Sequence, residues 1–335
     1  MKSLRLGIVG ATGLVGREFL GLLEERKTAI EELRLFASER SAGSVINFRN
    51  TDLIVKGLEE GCFTGLDVVF FSAGGSVSKV WAPRAAQEGA FAIDNSSAFR
   101  MDPEVPLIVP EVNSHCLPKA NQASIIANPN CSTIQMVVAL KPLQKSFGLK
   151  RVIVSTYQSV SGAGSAAVEE TKAQTLAYLN NSEPEPKVFP KTIAFNNLPM
   201  IGDLEPNGFT TEEMKMINET KKILEDDKLK VSAMCVRTPS LNGHSESVWA
   251  ELGTNTSKSE FMRSLQMAPG IDLSLEEFPT TREATGKNSV FVGRIHQDQD
   301  NPDTWMFWCV ADNIRKGAAL NGLQIAEAIF DLSPK

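Results

Sequence analysis

Apolar residues over the first 130 positions gather into short runs, with stretches of helical spacing between them. Leu6 to Val9 reads as a strand that ends at Gly10, and Phe19, Leu22 and Leu23 give 17–25 a helical period. Glu32 to Ala37 predicts a second strand. Leu66 to Phe71 is apolar throughout, as expected of a strand covered on both faces in a parallel sheet. A helix over 77–87, a strand over 91–94 and a short strand over 124–127 follow. This alternation predicts a Rossmann-like, doubly wound α/β domain.

The pattern changes after residue 130. An apolar segment over 134–140 predicts a helix, 151–158 a strand and 165–179 a helix, and Pro184 and Pro186 mark a loop. Thr210 with Glu213 three residues on forms a capping box opening another helix. Strands are predicted over 231–236, 247–252, 289–294 and 305–310. Arg315 to Phe330 reads as a helix with Leu320, Leu323, Ala326 and Phe330 along one side. The second half is therefore expected to be α+β with a mainly antiparallel sheet. If 231–236 and 247–252 pair as a hairpin, the loop between them brings Arg237 and His244 out side by side.

The length of 335 residues allows two ordinary domains. A hydrophobic fraction of 42% and a charged fraction of 22% are those of a soluble globular chain. The net charge of −6 provides no basic stripe, so no nucleic-acid partner is expected, and an anionic ligand needs a local site. The N-terminus runs straight into a strand, and no segment is apolar enough to span a bilayer. No membrane association is expected, and the cytoplasm is the expected location. Five scattered cysteines without a C-x-x-C pair, beside three histidines, make neither a disulfide framework nor a zinc pattern. No metal is expected.

Candidate chemistry lies at the turns. Gly10-Ala11-Thr12-Gly13-Leu14-Val15-Gly16 sits between a strand and a helix, where glycines admit a backbone close to phosphate and the helix N-terminus faces a diphosphate. At the end of the second strand, Ser38-Glu39-Arg40-Ser41 offers an arginine and a serine suited to the 2′-phosphate of NADP, which favours NADP over NAD; the alternative is that Arg40 is a solvated loop charge. Ser72-Ala73-Gly74 suits a close pass to a nicotinamide or its phosphates, or a plain turn. Asn128-Pro129-Asn130 places Cys131 at a strand-to-helix turn, where unpaired N–H groups and the helix dipole favour a thiolate. The alternative is a small buried hydrophobe. His244, in a Gly-His-Ser loop, is either a proton-transfer group or a structural hydrogen-bonding one. Arg237 suits bidentate capture of a carboxylate. Glu212 and Lys215 share a helix face, as an ordinary surface ion pair would, but could also meet a substrate ammonium and a phosphate. Arg100 lies past the C-terminal end of a strand, where α/β sheets bind ligands. A thiolate, a histidine and a nicotinamide site together suggest aldehyde/acyl interconversion through a thioester.

These motifs resemble the aspartate-β-semialdehyde dehydrogenases. The likeness is carried by Gly10 to Gly16, Asn128-Pro129-Asn130-Cys131-Ser132-Thr133, Gln158 to Gly164, Glu212-Glu213-Met214-Lys215 and Arg237 to Ser245, in the family's order over nearly the whole chain. The resemblance implies NADPH-dependent reductive dephosphorylation of L-aspartyl 4-phosphate to aspartate 4-semialdehyde, on the route to lysine, diaminopimelate, threonine and methionine. It implies Cys131 as the thioester nucleophile, His244 as acid/base and Gln158 as the group orienting the thioester. Arg237 would take the substrate carboxylate and Glu212 the ammonium, while Arg100, Asn130 and Lys215 would cradle the phosphate. Thr12 to Val15, Arg40, Ser41, Ser161, Gly162 and Asn313 would contact NADP(H). It further implies an NADP-binding domain over 1–130 completed by a helix over 314–335, a catalytic and dimerisation domain over 131–313, and a homodimer or dimer of dimers. Ser240 departs from the valine that commonly follows Pro239 in the family. The rival readings are N-acetyl-γ-glutamyl-phosphate reductase, whose cysteine motif typically reads Gly-Cys-Tyr-Pro-Thr, and a non-catalytic NADP-binding relative.

Overall fold

The structure, a computed structural model, describes residues 3–274 and 277–332. The chain forms two compact units: one takes the chain up to Asn130 and again from Ala318, the other is Cys131–Gly317.

The first unit opens with β1 (Leu4–Val9), α1 (Leu14–Glu25), β2 (Ile30–Phe36), β3 (Val45–Phe48), β4 (Thr51–Lys56), β5 (Val68–Phe71), α2 (Gly75–Gln87), β6 (Phe91–Asp94), α3 (Pro110–Asn113) and β7 (Ile125–Ala127). Among the described residues these strands form one sheet in the order β3-β4-β2-β1-β5-β6-β7, parallel except for the β3–β4 pair. Side-chain alternation divides the core between the two faces. Leu4, Leu6, Ile8, Val68 and Phe70 pack with Phe19, Leu22 and Leu23 of α1 on one side, while Val9, Val69 and Phe71 meet Phe63, Ala82 and Ala85 on the other. Each fully buried aromatic or aliphatic side chain contributes about 1.5–3 kcal/mol. The β3–β4 hairpin is not visible in the hydrophobic pattern because it is an edge feature, with Val45 and Ile54 exposed. Its two-residue turn, Arg49-Asn50, has both φ angles positive, as such turns require.

The second unit contains α4 (Cys131–Phe147), β8 (Leu149–Gln158), α5 (Ser165–Leu179), α6 (Thr211–Leu224), β9 (Lys230–Arg237), β10 (His244–Leu252), α7 (Lys258–Gln266), β11 (Ile271–Leu273), α8 (Thr281–Ala284), β12 (Val290–Gln297) and β13 (Thr304–Ala311). The strand order is β11-β12-β13-β10-β8-β9, with β10 antiparallel to both β8 and β13. A direct hairpin of 231–236 with 247–252 does not form. β8 lies between β9 and β10 and pairs parallel to β9, so the chain reaches β9 from β8 by a long crossover carrying α5 and α6. Lying between them, β8 has both of its edges hydrogen-bonded, which a two-strand hairpin would not provide.

Helix α4 packs on β8, β10, β12 and β13 and against α6 and α7. His244, Glu246, Val248, Ala250 and Leu252 alternate along β10 on the fully buried side. Thr210 caps α6 with the reciprocal Thr210–Glu213 box.

After β13 the expected helix does begin at Arg315, but its first turn is not α-helical. Residues Arg315–Ala319 form one wide π turn, and α9 (Leu320–Ile329) follows within the first unit. There Leu320, Leu323, Ile325 and Ala326 join the core beneath α1, and Arg26 at the C-cap of α1 grips Glu327 bidentately, Nε and Nη2 each donating to one carboxylate oxygen at 2.8 Å. No helix among the described residues is long and apolar enough to cross a membrane.

Candidate active site

The glycine turn of the first unit is built so that no side chain intrudes. Gly10 has φ +90°, and a Cβ there would lie 2.4 Å from the Ser72 carbonyl oxygen. Gly13 stands at the N-cap of α1 and Gly74 at that of α2, neither helix receiving a side-chain cap. Thr12 lies in the turn, and Leu14 and Val15 are the first residues of α1. Ser72, Ala73 and Gly74 form the β5–α2 connection, and β5 lies beside β1 in the sheet. Two uncapped helix N-termini at the ends of adjacent parallel strands fit a diphosphate. Ser38 follows β2, and Arg40 and Ser41 belong to the exposed turn Glu39–Ser41.

At the end of β7, buried Asn128 is clamped from several sides. Its Nδ2 donates to Asn95 Oδ1 at 2.7 Å, and its Oδ1 accepts from Asn321 Nδ2 at 2.7 Å. Arg100 is buried and donates to the backbone carbonyls of Asn128 (3.0 Å) and Asn95 (2.9 Å), so it braces the turn that ends in buried Asn130.

Cys131 is itself the first residue of α4, three positions earlier than the apolar run suggests, and it is partly exposed. In the first turn of a 17-residue helix, a negative sulfur is favoured by the orphan N–H groups. Gly317 in the π turn makes room for it: a Cβ on Gly317 would fall 2.9 Å from Cys131 Cβ.

The remaining candidates meet at one end of the second unit's sheet. Gln158 ends β8 directly opposite Arg237, which ends β9, while His244 begins the antiparallel β10 opposite Ala311. Strand order alone therefore gathers a glutamine, an arginine and a histidine. Arg237 Nη1 donates to the Ser159 carbonyl at 2.7 Å. Burial pulls its pKa down, opposed by the charges of Glu212 and Cys131. Gln158 Nε2 donates to Glu212 Oε1 at 3.3 Å, and Lys215 Nζ meets Glu212 Oε2 at 3.2 Å. The Glu212–Lys215 pair is thus not the surface pair its spacing suggested, because Glu212 is buried. Burial, with Arg237 adding to it, pushes His244 down to about 3, so the ring is neutral at ordinary pH. Gly162 covers this group closely, since a Cβ on it would lie 2.9 Å from Arg237 Nη1 and 3.2 Å from His244 Nε2.

Ser161, Gly162 and Asn313 also stand in this unit. Asn313 Oδ1 accepts from Gly243 N at 2.8 Å and from Ser159 Oγ at 3.0 Å, which makes it a tie between the loops flanking His244. Ser159 and Gln135, whose Nε2 donates to the His244 carbonyl at 3.2 Å, are parts of the site that sequence reasoning does not single out. Their contributions run through main-chain atoms, which residue type does not reveal.

Two family models cover most of the chain: semialdehyde dehydrogenase, NAD binding domain, over residues 5–120, and semialdehyde dehydrogenase, dimerisation domain, over 140–316. The chain is 52% identical to an aspartate-semialdehyde dehydrogenase of Aquifex aeolicus over 97% of both chains. It matches the crystal structure of aspartate semialdehyde dehydrogenase II from Vibrio cholerae complexed with ASA at TM-score 0.96 and 44% identity, over 99% of each chain. An aspartate semialdehyde dehydrogenase with NADP from Candida albicans matches at TM-score 0.77 and 25% identity, over 98% of this chain and 99% of that one. With a dinucleotide turn, a helix-initial cysteine and the Arg237–Glu212–His244 group all present, the chain belongs to the aspartate-semialdehyde dehydrogenase family.

Proposed function

We propose that this protein reduces L-aspartyl 4-phosphate to L-aspartate 4-semialdehyde with NADPH, releasing phosphate, in the biosynthesis of lysine, diaminopimelate, threonine and methionine. The observation that carries this reading is a buried guanidinium, Arg237, within electrostatic reach of a buried carboxylate, Glu212, at the same end of the sheet. That pair is complementary to the carboxylate and ammonium of an α-amino acid. An N-acetylated substrate would bring no ammonium for Glu212, which disfavours the N-acetyl-γ-glutamyl-phosphate reductase reading.

In the proposed cycle the Cys131 thiolate attacks the acyl carbon, and the C–O bond to phosphate breaks, leaving a thioester. Arg100, Asn130 and Lys215 hold the phosphate, and Gln158 orients the thioester. The dinucleotide, when bound, supplies a hydride to the thioester carbon. His244 donates a proton to the resulting oxyanion and recovers it when the C–S bond breaks, so the thiolate is regenerated and the aldehyde released.

Gly10, Thr12, Gly13, Leu14 and Val15 hold the diphosphate, with Ser72, Ala73 and Gly74 beside it. Arg40 and Ser41, next to Ser38, take the 2′-phosphate, which favours NADP(H) over NAD(H). Ser161, Gly162 and Asn313 serve the nicotinamide end. The dimerisation-domain match and the exposed apolar residues Ile153, Tyr157 and Met234 on the open face of the second sheet support a homodimer formed through that face. A dimer of dimers and a cytoplasmic location complete the reading.

The test is phosphate-dependent reduction of NADP with aspartate semialdehyde, run beside N-acetylglutamate semialdehyde and beside NAD. Turnover only with the acetylated aldehyde overturns the substrate assignment. Equal kcat/KM with NAD overturns the cofactor preference.

A further inference from the structure

His244 is fully buried, and its two ring nitrogens have different surroundings. Nδ1 faces the main-chain nitrogen of Ser159 at 3.0 Å and the Ser159 hydroxyl at 3.1 Å, whereas Nε2 has no hydrogen-bond partner among the described residues. A backbone N–H can only donate. Nδ1 must therefore offer its lone pair, and the single proton of a neutral imidazole is left to Nε2.

The neighbouring hydroxyls agree with that assignment. Gly243 N–H donates to Asn313 Oδ1 at 2.8 Å, which fixes which end of the Asn313 amide is the oxygen. The Ser159 hydroxyl can then donate to the same oxygen at 3.0 Å, and Asn313 Nδ2 donates to Ser161 Oγ at 3.0 Å. Ser161 in turn donates to Asn242 Oδ1 at 3.0 Å. Every donor in the chain finds an acceptor, and none needs a proton on His244 Nδ1.

We infer that Ser159 is a positioning residue whose main-chain N–H locks His244 in the Nε2–H tautomer, so that the imidazole enters the reaction as a proton donor at Nε2. The role in turnover rests on the function proposed above; the tautomer itself does not. The lock also opposes the imidazolium, which would set an Nδ1–H against the Ser159 N–H. Asn313 supports it by holding the Ser159 hydroxyl and the Gly243 backbone together.

Ser159→Pro removes the donor, and because the proline Cδ then stands where the N–H hydrogen pointed at Nδ1, the His244 ring must also move aside in that variant. Ser159 has φ −67° and ψ 156°, an extended conformation whose φ a proline ring accepts. Gln158 before it ends a strand, where a residue preceding proline is tolerated. Ser159→Pro deletes both N–H and hydroxyl, and Ser159→Ala deletes the hydroxyl alone.

Nitrogen-15 NMR of histidine-labelled protein reads the tautomer without substrate, and with His115 and His296 as the other histidines its signals are assignable by single replacements. In wild type and Ser159→Ala, Nδ1 should be pyridine-like and Nε2 pyrrole-like from pH 5 to 9. In Ser159→Pro the two tautomers should mix, kcat should fall by about 10²–10⁴ while KM stays nearly constant, and Ser159→Ala should lose far less. A protonated Nδ1 in wild type, or an unmixed Nε2–H signal in a folded Ser159→Pro, overturns the proposal. Should the proline variant not fold, the wild-type ring signals still decide the tautomer. Loss of aldehyde turnover in wild type with the tautomer as stated would refute the proposed function and leave the lock standing.

Discussion

Glu246 gives a measurable handle on the buried face beneath the site. It lies on β10 two residues from His244, fully buried, with neither carboxyl oxygen in a hydrogen bond of good geometry among the described residues. Its surroundings are Gln135 from α4, Thr156 opposite it on β8, Cys309 opposite it on β13, and Cys235 on β9. Burial drives its pKa well above 4.5, with only a smaller opposing pull from the Gln135 amide. Gln135 Oε1 lacks a donor among the described residues as well, so a protonated Glu246 would relieve two unsatisfied groups at once. Because the folded state holds this proton more tightly than the unfolded chain does, its stabilisation is present in full below pH 4.5. It is lost as pH rises toward and through the folded-state pKa. Glu246→Gln keeps the shape and removes the titration. The stability of the amide variant relative to wild type should therefore climb by about 1.4 kcal/mol per pH unit above 4.5, levelling off once the wild-type acid ionises in the folded protein. Urea unfolding of both proteins from pH 5 to 8 measures this, and other titrations cancel in the difference. Parallel curves, or a deficit in the variant that widens with pH, would show that the carboxyl is already ionised and paired.

Cys131→Ala should abolish aldehyde oxidation while leaving dinucleotide affinity within a few-fold, read by fluorescence titration; residual turnover near wild type removes it as nucleophile. Arg237→Lys should raise KM for aspartate semialdehyde by about 10–100-fold, since an ammonium replaces a planar fork and a charged hydrogen bond is worth about 1.5–3 kcal/mol. An unchanged KM argues against substrate contact. Gly317→Ala forces a new Cβ to within 2.9 Å of Cys131 Cβ, and displacing the nucleophile by a fraction of an ångström should lower kcat by up to about 10²-fold. Alkylation of Cys131 by iodoacetamide should slow in parallel, and unaltered rates in both assays would mean the π turn yields instead.

The parts legible in the sequence are those that depend on local chemistry. Gly10 and Gly16 announce a close turn because no other residue fits there: a Cβ on Gly16 would stand 2.3 Å from the Gly10 carbonyl oxygen, and one on Gly10 2.4 Å from that of Ser72. The Thr210–Glu213 box marks the start of α6 because capping is settled within four residues. Cys131 stands out because a turn and an apolar run meet there. What is not legible depends on distant partners. The loop of residues 238–243 looks like a hairpin loop, and only the competition of β8 for both neighbouring edges shows otherwise. Arg237 and His244 still converge, for a different reason: both stand at ends of strands flanking β8. The burial of Glu212, the bracing role of Arg100 and the donor from Ser159 to His244 likewise arise between segments far apart in sequence.

The Arg26–Glu327 grip, with α9 lying under α1, bears on how the molecule is made. A ribosome releases β1 and α1 long before α9, so the first sheet waits with an uncovered greasy flank while the whole of Cys131–Gly317 is synthesised. The dinucleotide-binding half is therefore the last to finish, and the inserted half is free to mature first. Stalled nascent chains ending before residue 318 should gain the antiparallel core yet remain protease-sensitive ahead of residue 130.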